Sequence, residues 1–278
     1  MIRPVLQDDA FLADVAADRD VAEGFRLWWL GQSGFLLQWG GRHLLFDPYL
    51  SDSLTKKYAG TDKPHVRMTE RVLDPARLDF IDVVTSSHNH TDHLDAETLG
   101  PLLDANPELV LVVSEANRAF AAERLKIDPA GPVGLDDGGE VEVAGFRIAA
   151  VPAAHEQIER DERGRCRHLG YVARFGGFAI YHAGDCVRYE GQVEKLRPFA
   201  LDVALLPING RAPERRVPGN LSGPEAARLA RDVGARLAIP CHYEMFEFNT
   251  ASPDAFVAEA ARLGQPVRVL RAGERFWR

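Results

Sequence analysis

The sequence predicts an α/β protein with two β-sheets whose outer faces are covered by helices. Apolar runs of strand length recur along the 278 residues, helical periodicity appears between and after them, and no Pro-, Gly- or Ser-rich linker divides the chain. Hydrophobic residues make up 46% of the chain and charged residues 27%, as in most folded globular proteins. We therefore expect a single domain over residues 1–278, with residues 1–25 as an N-terminal helical extension.

The first part of the chain predicts a helix followed by a strand meander. Acidic residues alternate with Phe11, Leu12, Val15 and Val21, and this pattern predicts an amphipathic helix within the first 25 residues. Apolar runs punctuated by glycines then predict strands at 27–30, 35–39, 44–46 and 83–85. The glycines between the first three runs are typical of hairpins.

The remainder of the chain alternates between the two types of element. Further strands are predicted at 109–113, 203–206, 237–239 and 267–270, with two strand pairs that turn at glycines within 141–151 and 171–181. Helical spacing predicts helices at 115–125, 224–233 and 253–263. These helices are the ones expected on the outer faces of the sheets.

Charge, hydropathy and cysteine content narrow the class of protein. With 33 Lys and Arg against 41 Asp and Glu, the net charge is −8, whereas nucleic-acid binding needs an excess of cations, so no nucleic-acid partner is expected. The apolar stretches are far shorter than the roughly 20 residues that cross a bilayer, and no signal-type segment follows Met1. Three distant cysteines do not form a disulfide framework. We expect a cytoplasmic protein without a membrane partner.

The segment 88–93, His-Asn-His-Thr-Asp-His, is the strongest functional signal in the chain. It follows a short apolar run and so lies at the carboxyl end of a predicted strand. Residues two apart in an extended segment point the same way, so His88 and His90 can bind one cation. Asp92 and His93 then face a second position nearby, where the chain turns into a helix. Imidazole and carboxylate are ligands that Zn²⁺, Mn²⁺ and Fe²⁺ accept.

Three more candidate ligands follow predicted strands further along the chain. They are His155, Asp185 and His242, and each comes a few residues after an apolar run. A single His at a strand end is more often a packed or surface residue. Several strands that deliver ligands to one rim are, however, what a two-metal site on a rigid sheet requires. The joint pattern therefore predicts one metal centre.

This ligand pattern resembles that of the metallo-β-lactamase superfamily. His-x-His-x-Asp-His at 88–93, followed by His155, Asp185 and His242, matches the metal ligands of that superfamily in order, and Asp47 matches its early strand-end Asp. The resemblance runs from about residue 27 to the C-terminus. It implies an αββα sandwich of two mixed sheets flanked by helices, with Asp47 supporting the ligands.

The same resemblance implies two divalent metal ions per chain, Zn, Mn or Fe. One ion would be held by His88, His90 and His155. The other would be held by Asp92, His93 and His242, and Asp185 would bridge the two. A hydroxide shared by the two cations would then attack the substrate, with Asp185 and Asp92 as the catalytic residues that orient it.

A narrower resemblance is to the L-ascorbate-6-phosphate lactonases, and it rests on segments 28–35, 206–211, 219–221 and 239–246. It implies a lactone or related ester as the substrate. That branch is often oligomeric, and whether this chain forms a homo-oligomer stays open.

Several residues near these segments are candidates for substrate binding. Arg211, Arg215 and Arg216 cluster in one loop of an otherwise acidic chain, which favours capture of an anion such as a sugar phosphate over a solvated loop with ion pairs. Asn209 and Asn220 either bind substrate or cap turns.

Two other polar residues have alternative roles. His168 is either a substrate-binding residue or a packed one. Glu244 either supports the ligand His242 or forms a structural ion pair. His43 and His65 are expected on the surface.

The expected function is that of a metal-dependent hydrolase of a small anionic molecule, first of all a lactone or ester such as a sugar-phosphate lactone. A phosphodiesterase or nuclease, a diiron redox protein and a non-catalytic binding module are alternatives. The net charge of −8 disfavours a nuclease. His rather than Glu at position 90 disfavours a diiron enzyme, and the complete ligand set disfavours a relic without activity.

Overall fold

Strands and helices alternate along the computed structural model, which describes residues 1–17 and 23–278. The strands are β1 (Arg26–Gly31), β2 (Gly34–Trp39), β3 (Arg42–Phe46), β4 (Val83–Ser86), β5 (Val110–Ser114), β6 (Val133–Leu135), β7 (Glu140–Val143), β8 (Phe146–Pro152), β9 (Leu169–Phe175), β10 (Phe178–His182), β11 (Val203–Pro207), β12 (Leu237–Cys241) and β13 (Arg275–Trp277). The helices are α1 (Asp8–Ala17), α2 (Ser53–Tyr58), α3 (Ala96–Ala105), α4 (Arg118–Leu125), α5 (Gln192–Leu196), α6 (Gly223–Val233) and α7 (Asp254–Leu263).

The described strands form two mixed sheets. One has the order β13-β1-β2-β3-β4-β5-β6 and the other the order β12-β11-β10-β9-β8-β7. In the first sheet β1, β3 and β4 run in one direction. The reason is that β2 pairs antiparallel with both β1 and β3, and β3 pairs parallel with β4. In the second sheet β8, β10 and β12 likewise share a direction. The carboxyl ends of these strands therefore lie along one rim.

The core lies between the sheets and is built from alternate residues of each strand. Leu27 and Trp29 of β1 belong to the same buried cluster as Ile148 of β8. Their neighbours Trp28 and Leu30 point to the opposite face and pack in a second cluster. Because successive side chains of a strand point to opposite faces, a strand that is covered on both sides is apolar at consecutive positions.

Helices cover the two outer faces and complete the αββα sandwich. On the first sheet, Phe11 of α1, Leu99 of α3 and Ala121 of α4 pack on the outward side chains. On the second, Leu229 of α6 and Phe256 of α7 join the core cluster. The predicted fold class is confirmed. No helix in the described residues is long and apolar enough to span a bilayer.

Helix α6 shows why the sequence forms a helix at this place. Ser222 and Glu225 form a capping box at its N-terminus, and Pro224 occupies the first turn, where its missing N–H is not needed. Gly234 ends the helix in the left-handed conformation with φ +73°. Such ends fix the length of the helix and hence the position of β12, which carries a ligand.

Two of the predicted elements differ from the structure. The strand predicted at 267–270 is wrong, since only Val267 of this segment bridges to Ala238. The last strand of the chain is β13, which lies at the edge of the other sheet beside β1. The helix predicted at 115–125 opens with a 3₁₀ turn, Glu115–Asn117, before α4. The predicted N-terminal helix is described over Asp8–Ala17, and Val21 lies outside the described residues.

Two histidines expected on the surface are buried. His43 is 1% exposed and hydrogen-bonds with Gln38 at 2.9 Å, under α1. His65 is 8% exposed because aromatic rings surround it. Both predictions were wrong because a single histidine carries no sequence signal of the element that covers it.

Candidate metal centre

The rim formed by the strand ends carries all seven predicted metal ligands. His88, His90, Asp92 and His93 follow β4, and the other three follow β8, β10 and β12. They fall into two groups in which every ligand atom lies within 4.8 Å of the others. The first set is His88, His90, His155 and Asp185, and the second set is Asp92, His93, Asp185 and His242. Residues scattered over the sequence thus meet at one place.

Asp185 stands between the two sets and belongs to both. Its Oδ2 lies 3.5 Å from His155 Nε2 in the first set. Its Oδ1 lies 3.3 Å from His93 Nε2 and 3.4 Å from His242 Nε2 in the second set. One carboxylate therefore presents one oxygen to each set.

Asp92 closes the second set from the opposite side. Its Oδ2 lies 3.7 Å from both His93 Nε2 and His242 Nε2. The same oxygen accepts a hydrogen bond of 2.8 Å from the side-chain amide of Gln32, which is also 3.1 Å from His242 Nε2. Gln32 directly follows β1, whose carboxyl end lies on the same rim as the ligands, and this brings its side chain to the second set.

Buried atoms without partners indicate that these residues fit divalent cations. Among the described residues, His88 Nε2, His93 Nε2 and Asp185 Oδ1 have no hydrogen-bond partner although they are buried. Buried polar atoms are normally satisfied, because leaving one unpaired costs free energy. All three atoms can offer a lone pair, and the imidazole and carboxylate donors suit Zn²⁺, Mn²⁺ or Fe²⁺.

Hydrogen bonds behind the ligands orient the imidazoles. His93 Nδ1 donates to Asp47 Oδ2 at 2.6 Å, and His155 Nδ1 donates to the Gly219 carbonyl at 2.9 Å. Asp47 also accepts the backbone N–H of Ser87 at 3.0 Å. With Nδ1 protonated in this way, the Nε2 lone pair of each ring is left for a cation.

Close packing and side-chain hydrogen bonds hold the loop that carries four of the ligands. A Cβ at position 184 would lie 2.6 Å from Ser87 Cβ, so only Gly184 lets the strand that delivers Asp185 approach this loop. From α4, Arg124 donates to the carbonyls of Asn89 at 2.7 Å and Leu94 at 3.1 Å.

The two sets differ in their electrostatics. In the first set, burial lowers the pKa of both His88 and His90, which keeps these imidazoles neutral. In the second set, burial opposes a charge on His93, but the carboxylates of Asp185, Asp92 and Asp47 raise its pKa well above the usual value.

The pKa values of two other members of the second set, His242 and Asp185, are shifted as well. Burial disfavours a charge on His242, yet Asp185 and Asp92 raise its pKa. Burial likewise opposes the charge of Asp185, but His242 and His93 lower its pKa well below the ordinary range. The carboxylates of the second set therefore favour positive charge on its imidazoles, in contrast to the first set.

A cavity of about 550 Å³ opens above the ligands and contains His168 but not the other predicted substrate-binding residues. The His168 ring lies 4.9 Å from that of His88, and burial lowers its pKa to about 4. Asn249, rather than Asn209 or Asn220, lines the cavity. Asn220 donates to Asn209 at 3.0 Å, which donates to Asn249 at 2.9 Å, so the first two support the third.

Arg211 and Arg215, which the sequence predicts to bind substrate, do not line this cavity. Arg211 is half-exposed and pairs with Glu225, while Arg215 donates to the carbonyls of Asn209 and Thr250. The loop after β11 turns these guanidinium groups towards the acids and carbonyls of its own neighbourhood. The capping box that contains Glu225 provides the competing carboxylate.

Glu244 does not reach the ligands. Its backbone N–H donates to Thr250 Oγ1 at 2.8 Å and its carbonyl accepts from Thr69. Its carboxylate forms no hydrogen bond or ion pair with His242 in the described part of the chain. A left-handed backbone at position 244, with φ +55°, turns the side chain away from the strand direction.

The sequence analysis missed several residues that line the cavity. Gln32 could have been identified from the sequence, because it is a polar residue in a Gly-Gln-Ser-Gly turn directly after an apolar strand, as the ligands are. The cations of the lining are Lys57, Arg124 and Arg167, and its aromatic residues outside the ligands are Tyr58, His65, Phe246 and Phe248. Apart from Phe246, which lies in segment 239–246, these residues come from segments that carry no recognisable motif.

Fold and site together define a metal-dependent hydrolase of the metallo-β-lactamase fold. The sequence profile described as beta-lactamase superfamily domain matches residues 42–243. A UPF0173 metal-dependent hydrolase of Opitutus terrae is 34% identical over 254 residues, which cover 90% of this chain and 98% of that protein. The chain belongs to the metallo-β-lactamase superfamily, in the group of the UPF0173 metal-dependent hydrolases.

Solved structures share the fold at lower identity. A possible metal-dependent hydrolase from Veillonella parvula is 15% identical with a TM-score of 0.72, covering 91% of this chain and 99% of that chain. CmlA, a diiron β-hydroxylase from Streptomyces venezuelae, is 17% identical with a TM-score of 0.66, covering 92% of this chain and 54% of that chain. At these identities the likeness concerns the fold alone.

Proposed function

We propose that this chain hydrolyses a small anionic ester or lactone with two divalent cations, Zn, Mn or Fe, held by the two ligand sets. The observation that carries the proposal is the position of Asp185, which presents one oxygen to each set at 3.3–3.5 Å from their imidazole nitrogens. A carboxylate shared in this way suits a pair of neighbouring cations better than a single one.

The chain's own residues would orient the reactants around the cations. Bound cations would supply a hydroxide nucleophile at neutral pH and positive charge for the oxygen of the attacked carbonyl. Asp185 and Asp92 accept hydrogen bonds and so hold the attacking water in place, and Gln32 fixes the Asp92 carboxylate at 2.8 Å. His168 is neutral at pH 7, lines the cavity and offers a ring nitrogen to the substrate.

The anionic part of the substrate has partners in the cavity wall. Lys57 and Arg167 both line the cavity, and neither forms an ion pair with another described residue. Arg124, by contrast, donates to two backbone carbonyls of the ligand loop. We therefore assign the anion-binding role expected of Arg211 and Arg215 to Lys57 and Arg167.

The type of bond that is cleaved is a more specific part of the proposal. The resemblance of segments 206–211 and 239–246 to the L-ascorbate-6-phosphate lactonases favours a lactone, such as a sugar-phosphate lactone, over an open ester. A cavity of about 550 Å³ accommodates a ligand of this size.

Metal analysis and a substrate panel test the proposal. Protein loaded with Zn²⁺, Mn²⁺ or Fe²⁺ is expected to retain two ions per chain by mass spectrometry and to hydrolyse lactones faster than phosphodiesters. Turnover of phosphodiesters alone would favour the phosphodiesterase alternative. Visible absorption of purified protein without any hydrolysis would favour a diiron redox protein.

A further inference from the structure

The walls of the cavity differ in chemistry on its two sides. Beside the first ligand set the lining is polar, with Asn89, Glu159, Arg167 and His168. The other side is a surface that we call the aromatic wall, formed by Tyr58, His65, Phe246 and Phe248. Phe246 belongs to a small buried hydrophobic cluster, and Tyr58 and Phe248 pack against that cluster. Packing explains the buried ring, whereas the parts of Tyr58 and Phe248 that line the cavity need a separate explanation.

The rings of the aromatic wall pack on one another in a fixed arrangement. His65 stacks on Tyr58 with ring centroids 4.2 Å apart and an interplanar angle of 17°. Phe248 meets the His65 ring edge to face at 4.5 Å, and Phe246 does so at 5.2 Å. Parallel and perpendicular rings together form a corner that fits a planar group, which stacks on one ring and meets the edge of another.

Contacts behind the aromatic wall hold it in place without filling the cavity. Tyr49 packs on Phe246 at 5.9 Å, and Thr55 donates a 2.8 Å hydrogen bond to the His65 carbonyl. Phe246 is buried, whereas Tyr58 and Phe248 are half-buried and remain accessible from the cavity. The wall is thus rigid before a ligand arrives, which reduces the entropy that binding costs.

We propose that the aromatic wall is a subsite for a flat apolar ring, so that the substrate is an aryl-substituted ester or lactone. This inference rests on the proposed function for its reacting group but concerns a different part of the cavity. Phe246 and Phe248 follow the ligand His242 closely in the loop after β12, which sets the ring beside the second ligand set. The anionic part of the substrate is then received by Arg167 on the polar side and by Lys57, whose Nζ lies 5.2 Å from the centroid of the Tyr58 ring.

Binding of two matched probes tests the subsite without turnover. Phenylphosphonate and propylphosphonate carry the same anionic group, but the first has an aromatic ring where the second has an alkyl chain. For metal-loaded protein, calorimetry is expected to give a Kd for phenylphosphonate about fivefold below that for propylphosphonate. Equal Kd values, or no binding of either probe, would overturn the proposal.

Variants of one ring assign the preference to the aromatic wall. Phe248→Ala and Phe248→Leu are both expected to bring the ratio of the two Kd values close to one, because leucine retains apolar volume but no ring. Tyr58→Ala serves the same purpose if circular dichroism shows that the Phe248 variants do not fold. Trp277→Ala removes an exposed ring outside the cavity and is the matched control, with an unchanged ratio. A ratio that survives loss of both rings would contradict the subsite.

Turnover separates this inference from the proposed function. Wild-type protein is expected to hydrolyse γ-phenyl-γ-butyrolactone with a kcat/KM about fivefold above that of γ-propyl-γ-butyrolactone. If neither these two neutral lactones nor the anionic lactones of the substrate panel are hydrolysed while the phosphonate preference holds, the proposed reaction fails and the ring subsite stands. If both are hydrolysed equally and the phosphonates bind equally, the subsite fails and the reaction stands.

Discussion

The two ligand sets share Asp185 but differ in what stands behind their imidazoles. In the first set, the His155 ring is oriented by the carbonyl of Gly219, which is neutral. In the second set, the His93 ring is oriented by the buried carboxylate of Asp47, and Asp92 adds another negative charge. The same ligand type therefore lies in two electrostatic environments, one that favours neutral imidazoles and one that favours positive charge on them. We expect the two positions to load with different affinity and different pH dependence.

Removing the shared carboxylate should abolish the difference, because both positions depend on it. Asp185→Asn is expected to lower metal content at both positions and to reduce hydrolysis about a thousandfold. Mass spectrometry and initial rates measure the two effects. Asp137→Asn, which removes an acid paired with Lys195 outside the cavity, is the control and should leave both unchanged. Full turnover in Asp185→Asn would contradict the proposed arrangement.

Asp47→Asn should separate the two positions. It removes the charge that contacts His93 directly and leaves the hydrogen bond behind His155 intact. Asp47 reaches the first set only through the Ser87 hydroxyl, which lies 3.0 Å from His88 Nδ1, so metal affinity is expected to fall about 10- to 100-fold at the second position and less at the first. Competition with a chromogenic chelator resolves the two affinities. Equal weakening of both positions would mean that Asp47 supports the whole loop rather than the second set.

Proton release should distinguish the sets as well. The pKa of His93 and that of His242 are raised by neighbouring carboxylates, so a cation must displace protons there, whereas the pKa values of His88 and His90 are lowered. The apparent affinity of the second position is expected to increase as the pH rises from about 6 to 8, with less change at the first. Calorimetry in buffers of different ionisation enthalpy counts the protons. An equal number released at both positions would remove the contrast.

A smaller effect is expected for the cations of the cavity wall. Arg167→Gln removes a charge that lines the cavity and should raise KM for an anionic lactone about fivefold, with little change for a neutral one. Arg211→Gln is the matched variant, since its guanidinium pairs with Glu225 outside the cavity, and its KM should stay within about twofold of wild type. The reverse ranking would return anion binding to the loop after β11.

The convergence of the candidate metal ligands was predictable because the same residue types recur at strand ends. His155, Asp185 and His242 each follow an apolar run, and a sheet with shared strand direction brings such positions together whatever their separation in sequence. Asp47 could be assigned only through the family resemblance. Its role depends on the hydrogen bond with His93, a residue 46 positions away.

Other features depended on information that the local sequence does not hold. The position of Gln32 follows from the direction of β1 relative to β3 and β4, which two antiparallel pairings set. Arg211 is neutralised by Glu225, a residue that sequence analysis assigns to a helix start rather than to an ion pair. The aromatic wall joins residues 58 and 65 to residues 246 and 248, and no motif links these segments.

The hydrogen bonds from Arg124 to both ends of the ligand loop affect how the protein can lose and regain metal ions. Because its carbonyls at Asn89 and Leu94 are hydrogen-bonded to α4, we expect the loop to keep its shape whether or not cations are bound. A chelator is therefore expected to strip the ions from a chain that stays folded, and added ions are expected to restore activity without a refolding step. The protein can then exchange one metal for another as supply varies, so the identity of the ion would reflect availability in the cell as much as the choice of ligands.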